Sequence, residues 1–308
     1  MNRCPISYLP CGDQKYAKEG LTLLNRNLTT LLDFPYSASE QRLEASHRMI
    51  RMSIQGVQPK LSAILNTRRH IFDLVETEGR FIIKPPHSIY GQMPENEDLT
   101  MRLAKITGIE TPLHGMMWCK DGSLSYFIKR FDRVGRRDKL AVEDFAQLAG
   151  LTRMTKYDYT IEKTVKLLET YCTFPVLEKY KFFKLVLFCF VTGNEDMHLK
   201  NFSLITRNGK VELSPAYDLI NSTLALGGAE EEMALMLAGK KKEFRKKDLI
   251  DYLGKEVLKL NSVVISETLS DFQRVYPQWH LLIDQSFLSE KAKQDYRSIL
   301  DSRLKRIL

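Results

Sequence analysis

The stretch from Leu177 to Leu213 limits the fold of this chain more than any other part. Leu177 to Thr192 reads as a helix, and its core from Phe182 to Gly193 is apolar almost all round. A helix of that kind belongs inside a protein, with other elements around it. The run is too short to cross a bilayer, and Lys184 interrupts it. A polar loop follows, then Phe202-Ser-Leu-Ile, Thr-Arg-Asn-Gly and Lys210-Val-Glu-Leu. Asn208-Gly209 supplies the left-handed backbone that a tight turn needs, so the two apolar runs form a hairpin. A buried helix feeding a hairpin requires a fold that mixes helix and sheet.

The flanks extend this plan in opposite directions. C-terminal to Asp144 the spacing predicts helices over Asp144–Leu151 and Thr160–Tyr171, and over most of Lys246–Leu308. Towards the N-terminus the pattern is β-rich from Met49 onward. Strands are expected from Pro59 to Leu65, from His70 to Val75 and from Arg80 to Lys84. Two more are expected around Leu113–Cys119 and Ser123–Arg130, on either side of the turn Lys120-Asp-Gly. One helix starts near Glu95, with Leu99, Leu103 and Ile106 on one face. Before all of these, Met1–His47 reads as a mixed cap with helical spacing over Gly20–Leu32. The expectation is a bilobal α+β fold: a cap over residues 1–48, a β-rich lobe over 49–135 and a helical lobe over 136–308.

Composition narrows the function classes. The 308 residues suffice for two lobes, and 44% hydrophobic with 27% charged residues excludes a disordered or fibrous chain. A net charge of +8, from 46 Lys+Arg against 38 Asp+Glu, leans towards anionic partners such as nucleotides or nucleic acid. The densest basic run, Lys240-Lys-Lys-Glu-Phe-Arg-Lys-Lys, is either a solvated loop or a contact for an acidic partner. Cys4, Cys11, Cys119, Cys172 and Cys189 are scattered, without metal-ligand spacing, which suits a reducing compartment. The first residues lack the apolar segment of a secretory signal. A cytoplasmic protein with no membrane partner is expected.

The chemistry concentrates in four segments. Gly193-Asn-Glu-Asp196-Met-His198-Leu-Lys200-Asn201 places an Asp five positions before an Asn. In kinase catalytic loops that spacing lets the Asp take or orient a hydroxyl proton while the Asn oxygen binds a divalent cation. A polar loop whose Asp and Asn merely cap turns would look the same. Beyond the hairpin, Tyr217-Asp218 offers a second carboxylate, which either holds Mg²⁺ or caps a helix starting near Leu219. Lys84 closes the strand Phe81-Ile-Ile-Lys84, where it can reach phosphates, and Glu97 is its candidate ion-pair partner. Ser53-Ile-Gln-Gly56-Val-Gln-Pro-Lys60 lacks the second Gly and the Ser/Thr of a P-loop. Its one Gly can still bring backbone N–H groups onto a phosphate.

Together these segments, with Lys129-Arg-Phe-Asp-Arg, resemble the HipA family of toxin serine/threonine kinases, and most closely the short HipT type. The match runs in order from Met49 to Asn221, and Asp196-Met-His-Leu-Lys-Asn-Phe-Ser is its most specific part. The resemblance implies a kinase that uses ATP and Mg²⁺. Asp196 would be catalytic, and Asn201 and Asp218 would hold the metal. Gln55, Gly56, Val57, Gln58, Pro59 and Lys60 would cover the phosphates that Lys84 contacts. Lys129, Arg130 and Phe131 would form the adenine hinge, and His198, Leu199, Lys200, Asn201 and Tyr217 would complete the pocket. Ser53 aligns with the family's autophosphorylated serine, where added charge repels the triphosphate. Two residues depart from the pattern: Pro59 stiffens its loop, and Lys129 stands where HipA has an acidic residue.

The resemblance further implies a protein substrate such as an aminoacyl-tRNA synthetase. The implied partners are a small HipS-like antitoxin and a HipB-like protein, with DNA met only through the latter. A phosphatidylinositol-type lipid kinase shares the Asp-x-His-x-x-Asn string, and a kinase-shaped binding protein without turnover is a third reading. The absence of an amphipathic docking helix speaks against the first. The joint presence of Lys84, Asp196, Asn201 and Asp218 speaks against the second.

Overall fold

A computed structural model describes residues 2–50, 59–135, 138–152, 154–228 and 230–308. Ser53, Gln55, Gly56, Val57 and Gln58 therefore lie outside the described residues. The chain divides into two compact units. One comprises Met1–Leu99, Pro112–Arg133 and Gln285–Leu288, and the other Thr100–Thr111, Val134–Asp284 and Ser289–Leu308.

The first unit is built on an antiparallel sheet of β1 (Leu61–Asn66), β2 (Ile71–Leu74), β3 (Phe81–Lys84), β4 (His114–Trp118) and β5 (Leu124–Lys129), in the order β2-β1-β3-β5-β4. Every one of these strands was expected from its apolar run. Leu61 and Ala63 point to one face of β1 and join Phe72, Phe81, Ile83 and Phe127 in the core. Phe72 and Phe81 meet edge to face with centroids 5.1 Å apart, the geometry that aromatic quadrupoles favour.

The cap differs from its expectation at two places. Helix α1 (Lys18–Leu24) stops well short of Leu32, because Asn25 turns extended and its side chain accepts the Asn27 N–H. That local bond competes with helix, yet Leu28 and Leu31 still reach the core. Helix α2 (Ala38–Ile50) stands where the sequence suggested cap and then strand. Ser37 and Glu40 start it with reciprocal bonds, Ser37 N–H to Glu40 Oε2 at 2.7 Å and Glu40 N–H to Ser37 Oγ at 3.3 Å. Helix α3 (Met93–Ile106) follows, as expected from Glu95.

In the second unit the short helix α4 (Phe145–Leu148) replaces the longer one expected over Asp144–Leu151. It is preceded by strand β6 (Val142–Asp144), which the sequence did not announce. Helices α5 (Ile161–Tyr171) and α6 (Pro175–Val191) match their expectations, and α6 is buried throughout Phe182–Val191. Strands β7 (Ser203–Arg207) and β8 (Lys210–Leu213) form the hairpin, with Asn208 at φ 50° and Gly209 at φ 73°. Strand β6 pairs with β7 and makes a three-stranded sheet. Helix α7 (Ser222–Leu226), a π-helical stretch at Lys247–Val257, α8 (Ser262–Gln285) and α9 (Glu290–Lys305) complete the chain. Around α6 pack α5, α9, β8 and the π-helical stretch.

Within the basic run, Lys240 pairs with Asp248 at 2.8 Å and Lys241 with Glu231 at 3.3 Å. That charge is partly compensated inside its own unit. Among the described residues, no helix is long and apolar enough to cross a membrane.

Candidate active site

Burial of α6 sets the position of the loop that follows it. Gly193 ends the helix at φ 72°, and a Cβ there would meet Asn221 Oδ1 at 2.7 Å and Ile299 Cγ2 at 3.0 Å. Only glycine fits that crossing. Next, Glu195 is anchored by Arg303 at 3.1 Å and by the Thr223 hydroxyl. Met197 and Leu199 turn inward and are buried, while Asp196, just ahead of them, faces solvent. The Glu195–Arg303 ion pair on one side and the buried Met197 on the other thus hold an exposed carboxylate in place.

The two ends of the Asp-x₄-Asn string meet. Asn201 Nδ2 donates to the Asp196 carbonyl at 2.9 Å, and His198 N–H donates to the same oxygen at 2.8 Å. With its N–H₂ engaged there, Asn201 has its amide oxygen as the remaining polar end. His198 starts the short turn Leu199–Asn201, and its Nδ1 accepts the Lys200 N–H at 3.2 Å. Its Nε2 lies 2.6 Å from Lys156 Nζ. A neutral imidazole can accept at only one of these two nitrogens, and an imidazolium at neither. Burial, with the Lys156 ammonium adding to it, accordingly pushes His198 below its ordinary value against the pull of Asp196 and Asp218. The structure thus brings Asp196, His198 and Asn201 together, and the Asp218 charge is also felt by the His198 ring.

The hairpin returns the chain to this loop. Tyr217 donates its hydroxyl to the Lys200 carbonyl at 3.0 Å and also meets Ser203 Oγ. Lys200 itself pairs with Asp144 at 2.6 Å. Asp218 adopts φ 54°, a left-handed conformation that Asp tolerates better than most residues. It does not cap a helix: α7 begins at Ser222 and takes Asn221 as its cap, through the Leu224 N–H at 2.8 Å. The capping alternative is thereby removed.

In the first unit Lys84 and Glu97 form an ion pair at 2.5 Å, each side chain only 3% exposed. The expected pairing is therefore present, on β3 and α3. Beside it, Asp98 binds His114 Nδ1 at 2.9 Å. Lys60 is exposed and Pro59 half-buried, at the entry to β1. Lys129 and Arg130 carry their N–H groups to the Leu113 and Arg80 carbonyls at 2.7 and 2.8 Å, so those two donors are engaged in the strand framework. The Arg130 guanidinium grips Asp132 through two bonds of 2.9 and 2.7 Å, and Phe131 is half-buried between them.

Among the described residues, no group of three or more His, Cys, Asp and Glu side chains could cage a metal. The donor set still suits one metal type. One carboxylate at Asp218 and one amide oxygen at Asn201 are hard oxygen donors, the small protein share that Mg²⁺ takes when water and phosphate fill its other positions.

Three contributors escaped sequence reasoning. Tyr157 donates its hydroxyl to Asp196 Oδ1 at 2.5 Å, Lys156 faces His198, and Arg303 braces Glu195. Each lies dozens of residues from its partner, where no local spacing could signal the contact.

Comparison with known proteins bears on the fold and the family. A Haemophilus influenzae protein named "Putative kinase" is 26% identical over 94% of this chain and 93% of its own length. The serine/threonine-protein kinase toxin HipA of Shewanella oneidensis is 29% identical over 56% of this chain, and the match spans 43% of that toxin. A solved structure of Shewanella oneidensis HipA with HipB and operator DNA superposes with a TM-score of 0.70 at 22% identity, covering 90% of this chain and 73% of that one. The α+β fold is thus that of a HipA-type kinase. Residues 52–279 match the HipA-like C-terminal domain family, and the chain belongs to that family.

Proposed function

We propose that this chain is an ATP- and Mg²⁺-dependent serine/threonine protein kinase that acts as the toxin of a toxin–antitoxin pair. The observation that carries the reading is the closed Asp196–Asn201 loop, in which the Asn201 Nδ2 and the His198 N–H both donate to the Asp196 carbonyl. Asp196 takes the proton of an acceptor hydroxyl, whose oxygen attacks the γ-phosphorus while the bond to the leaving ADP breaks. Lys84, held by Glu97, contacts the phosphates together with Lys60 and the loop from Gln55 to Pro59. Asn201 and Asp218 would hold Mg²⁺, which supplies charge neutralisation on the phosphates. Lys129, Arg130 and Phe131 line the adenine end, and His198, Leu199, Lys200 and Tyr217 complete the pocket.

Ser53 is the self-modification site in this reading: a phosphate there repels the triphosphate and switches the enzyme off. A cytoplasmic translation component such as an aminoacyl-tRNA synthetase is the proposed substrate. A HipB-like DNA-binding protein and a small HipS-like antitoxin are the proposed partners. The name of the Shewanella toxin and its complex with HipB and operator DNA support the toxin–antitoxin setting and the HipB-like partner.

Intact-mass spectrometry tests the core of the proposal. Wild type incubated with ATP and Mg²⁺ should gain a phosphate on Ser53, and Asp196→Ala should gain none while still binding ATP. Phosphate transfer by a folded Asp196→Ala chain would sink the assignment.

A further inference from the structure

The segment ahead of α5 grips the loop around Asp196 at three points. Leu199 N–H donates to the Lys156 carbonyl at 3.3 Å, Lys156 Nζ faces His198 Nε2 at 2.6 Å, and Tyr157 donates its hydroxyl to Asp196 Oδ1 at 2.5 Å. The Tyr157 ring stands edge-on to His198 at 84°, with centroids 5.0 Å apart, and the Lys156 ammonium lies 4.8 Å above it. The segment is itself tied down: Thr155 Oγ1 accepts the Thr152 N–H at 3.1 Å, and Asp158 N–H reaches the Thr155 carbonyl at 3.0 Å.

A carboxylate in solvent turns easily about its last bond and presents either oxygen. Asp196 is exposed, yet one of its oxygens is held. Burial, and then the bond to Asp196, pushes the Tyr157 phenol well above its ordinary value, so it remains a donor.

We propose that Tyr157 is a positioning residue for phosphoryl transfer: its hydroxyl fixes Asp196 Oδ1 and so presents Oδ2 to the acceptor hydroxyl. This rests on Asp196 being the proton acceptor, as proposed above. Tyr157 never touches the reacting atoms, and it acts through the orientation of Asp196. Small errors in the placement of a catalytic group are expensive, up to about 100-fold per ångström.

The test follows ADP release and phosphate incorporation by the purified full chain with ATP and Mg²⁺, in wild type, Tyr157→Phe and Asp196→Ala. Tyr157→Phe keeps the ring against His198 and removes only the hydroxyl. It should lower kcat by roughly 10-fold or more, leave the KM for ATP within about twofold, and melt at the wild-type temperature. Loss of folding alone would move the melting temperature, and loss of ATP contact would move KM. Unchanged kcat in Tyr157→Phe, with Asp196→Ala inactive, would overturn the positioning role and spare the kinase reading. Faster turnover in Tyr157→Phe would overturn it too, by showing that the hydroxyl blocks Asp196. If wild type and Tyr157→Phe both fail to turn over ATP, the kinase reading falls and this inference falls with it.

Discussion

At the scale of single residues, the first unit concentrates acidic side chains at the start of α3 and treats them unequally. Glu97 has Lys84 and Asp98 has His114, both buried pairs. Among the described residues, Glu95 Oε2 has no hydrogen-bond partner although it is buried. Burial pushes the Glu95 carboxyl up to about 7, and the nearby Asp98 charge adds to this against its own backbone N–H. The consequence for stability has a definite sign. Between its ordinary 4.5 and about 7, the folded chain holds a proton that the unfolded chain has released. Stability from this group therefore falls as pH rises through that window and stays low above it. Glu95→Gln imitates the protonated form at every pH. It should stabilise the protein by about 1–3 kcal/mol at pH 8 and change little at pH 5. Urea unfolding at the two pH values checks this, and an equal effect at both would show that the charge of Glu95 is not what costs stability.

At the scale of elements, the decisive joint is the exit from α6. Gly193 combines a left-handed backbone with three close neighbours, and its carbonyl accepts from the Thr223 N–H at 3.1 Å and the Ser222 hydroxyl at 3.2 Å. Gly193→Ala should cost about 3 kcal/mol, through backbone strain plus the clash with Asn221, and should displace Asp196. Thermal unfolding together with ATP turnover measures both; an alanine variant with normal stability would mean that the crossing has room to relax. Local signals were legible here. The hairpin followed from Asn208-Gly209, the five strands from short apolar runs, and α5 and α6 from their apolar spacing. Legibility failed where a competing bond or a distant partner decides. The Asn25 side chain ends α1 early, and β6 is three residues that exist only because β7 lies beside them. Helix α2 is a different case, since Ser37-Ala-Ser-Glu40 is a capping signature that stood in the sequence unused. Of the site, the Asp196–Asn201 and Lys84–Glu97 pairings were readable from spacing and element order. The brace from Tyr157 was not, because burial and long-range contact leave no period in a sequence.

At the scale of the whole molecule, the question is whether the +8 charge or a built site governs nucleotide binding. The two make opposite demands on the metal. A diffuse basic surface holds any polyanion, and holds ATP better without Mg²⁺, because the free nucleotide carries more negative charge. A site that relies on Asn201 and Asp218 needs the metal to bring an aspartate and a triphosphate together. Binding to the folded state alone raises stability by about 2.7 kcal/mol when ATP stands at 100 times its Kd. Wild type should therefore melt higher with ATP and Mg²⁺ than with ATP and a chelator. Asp218→Ala should lose most of that difference while keeping the small response to ATP alone. The substitution removes one charge from a molecule with 84 charged residues, 46 basic and 38 acidic, so it barely alters the general field. A stabilisation that is indifferent to Mg²⁺, or unchanged in Asp218→Ala, would assign nucleotide binding to surface charge. That outcome would leave a HipA-type fold without a working metal site.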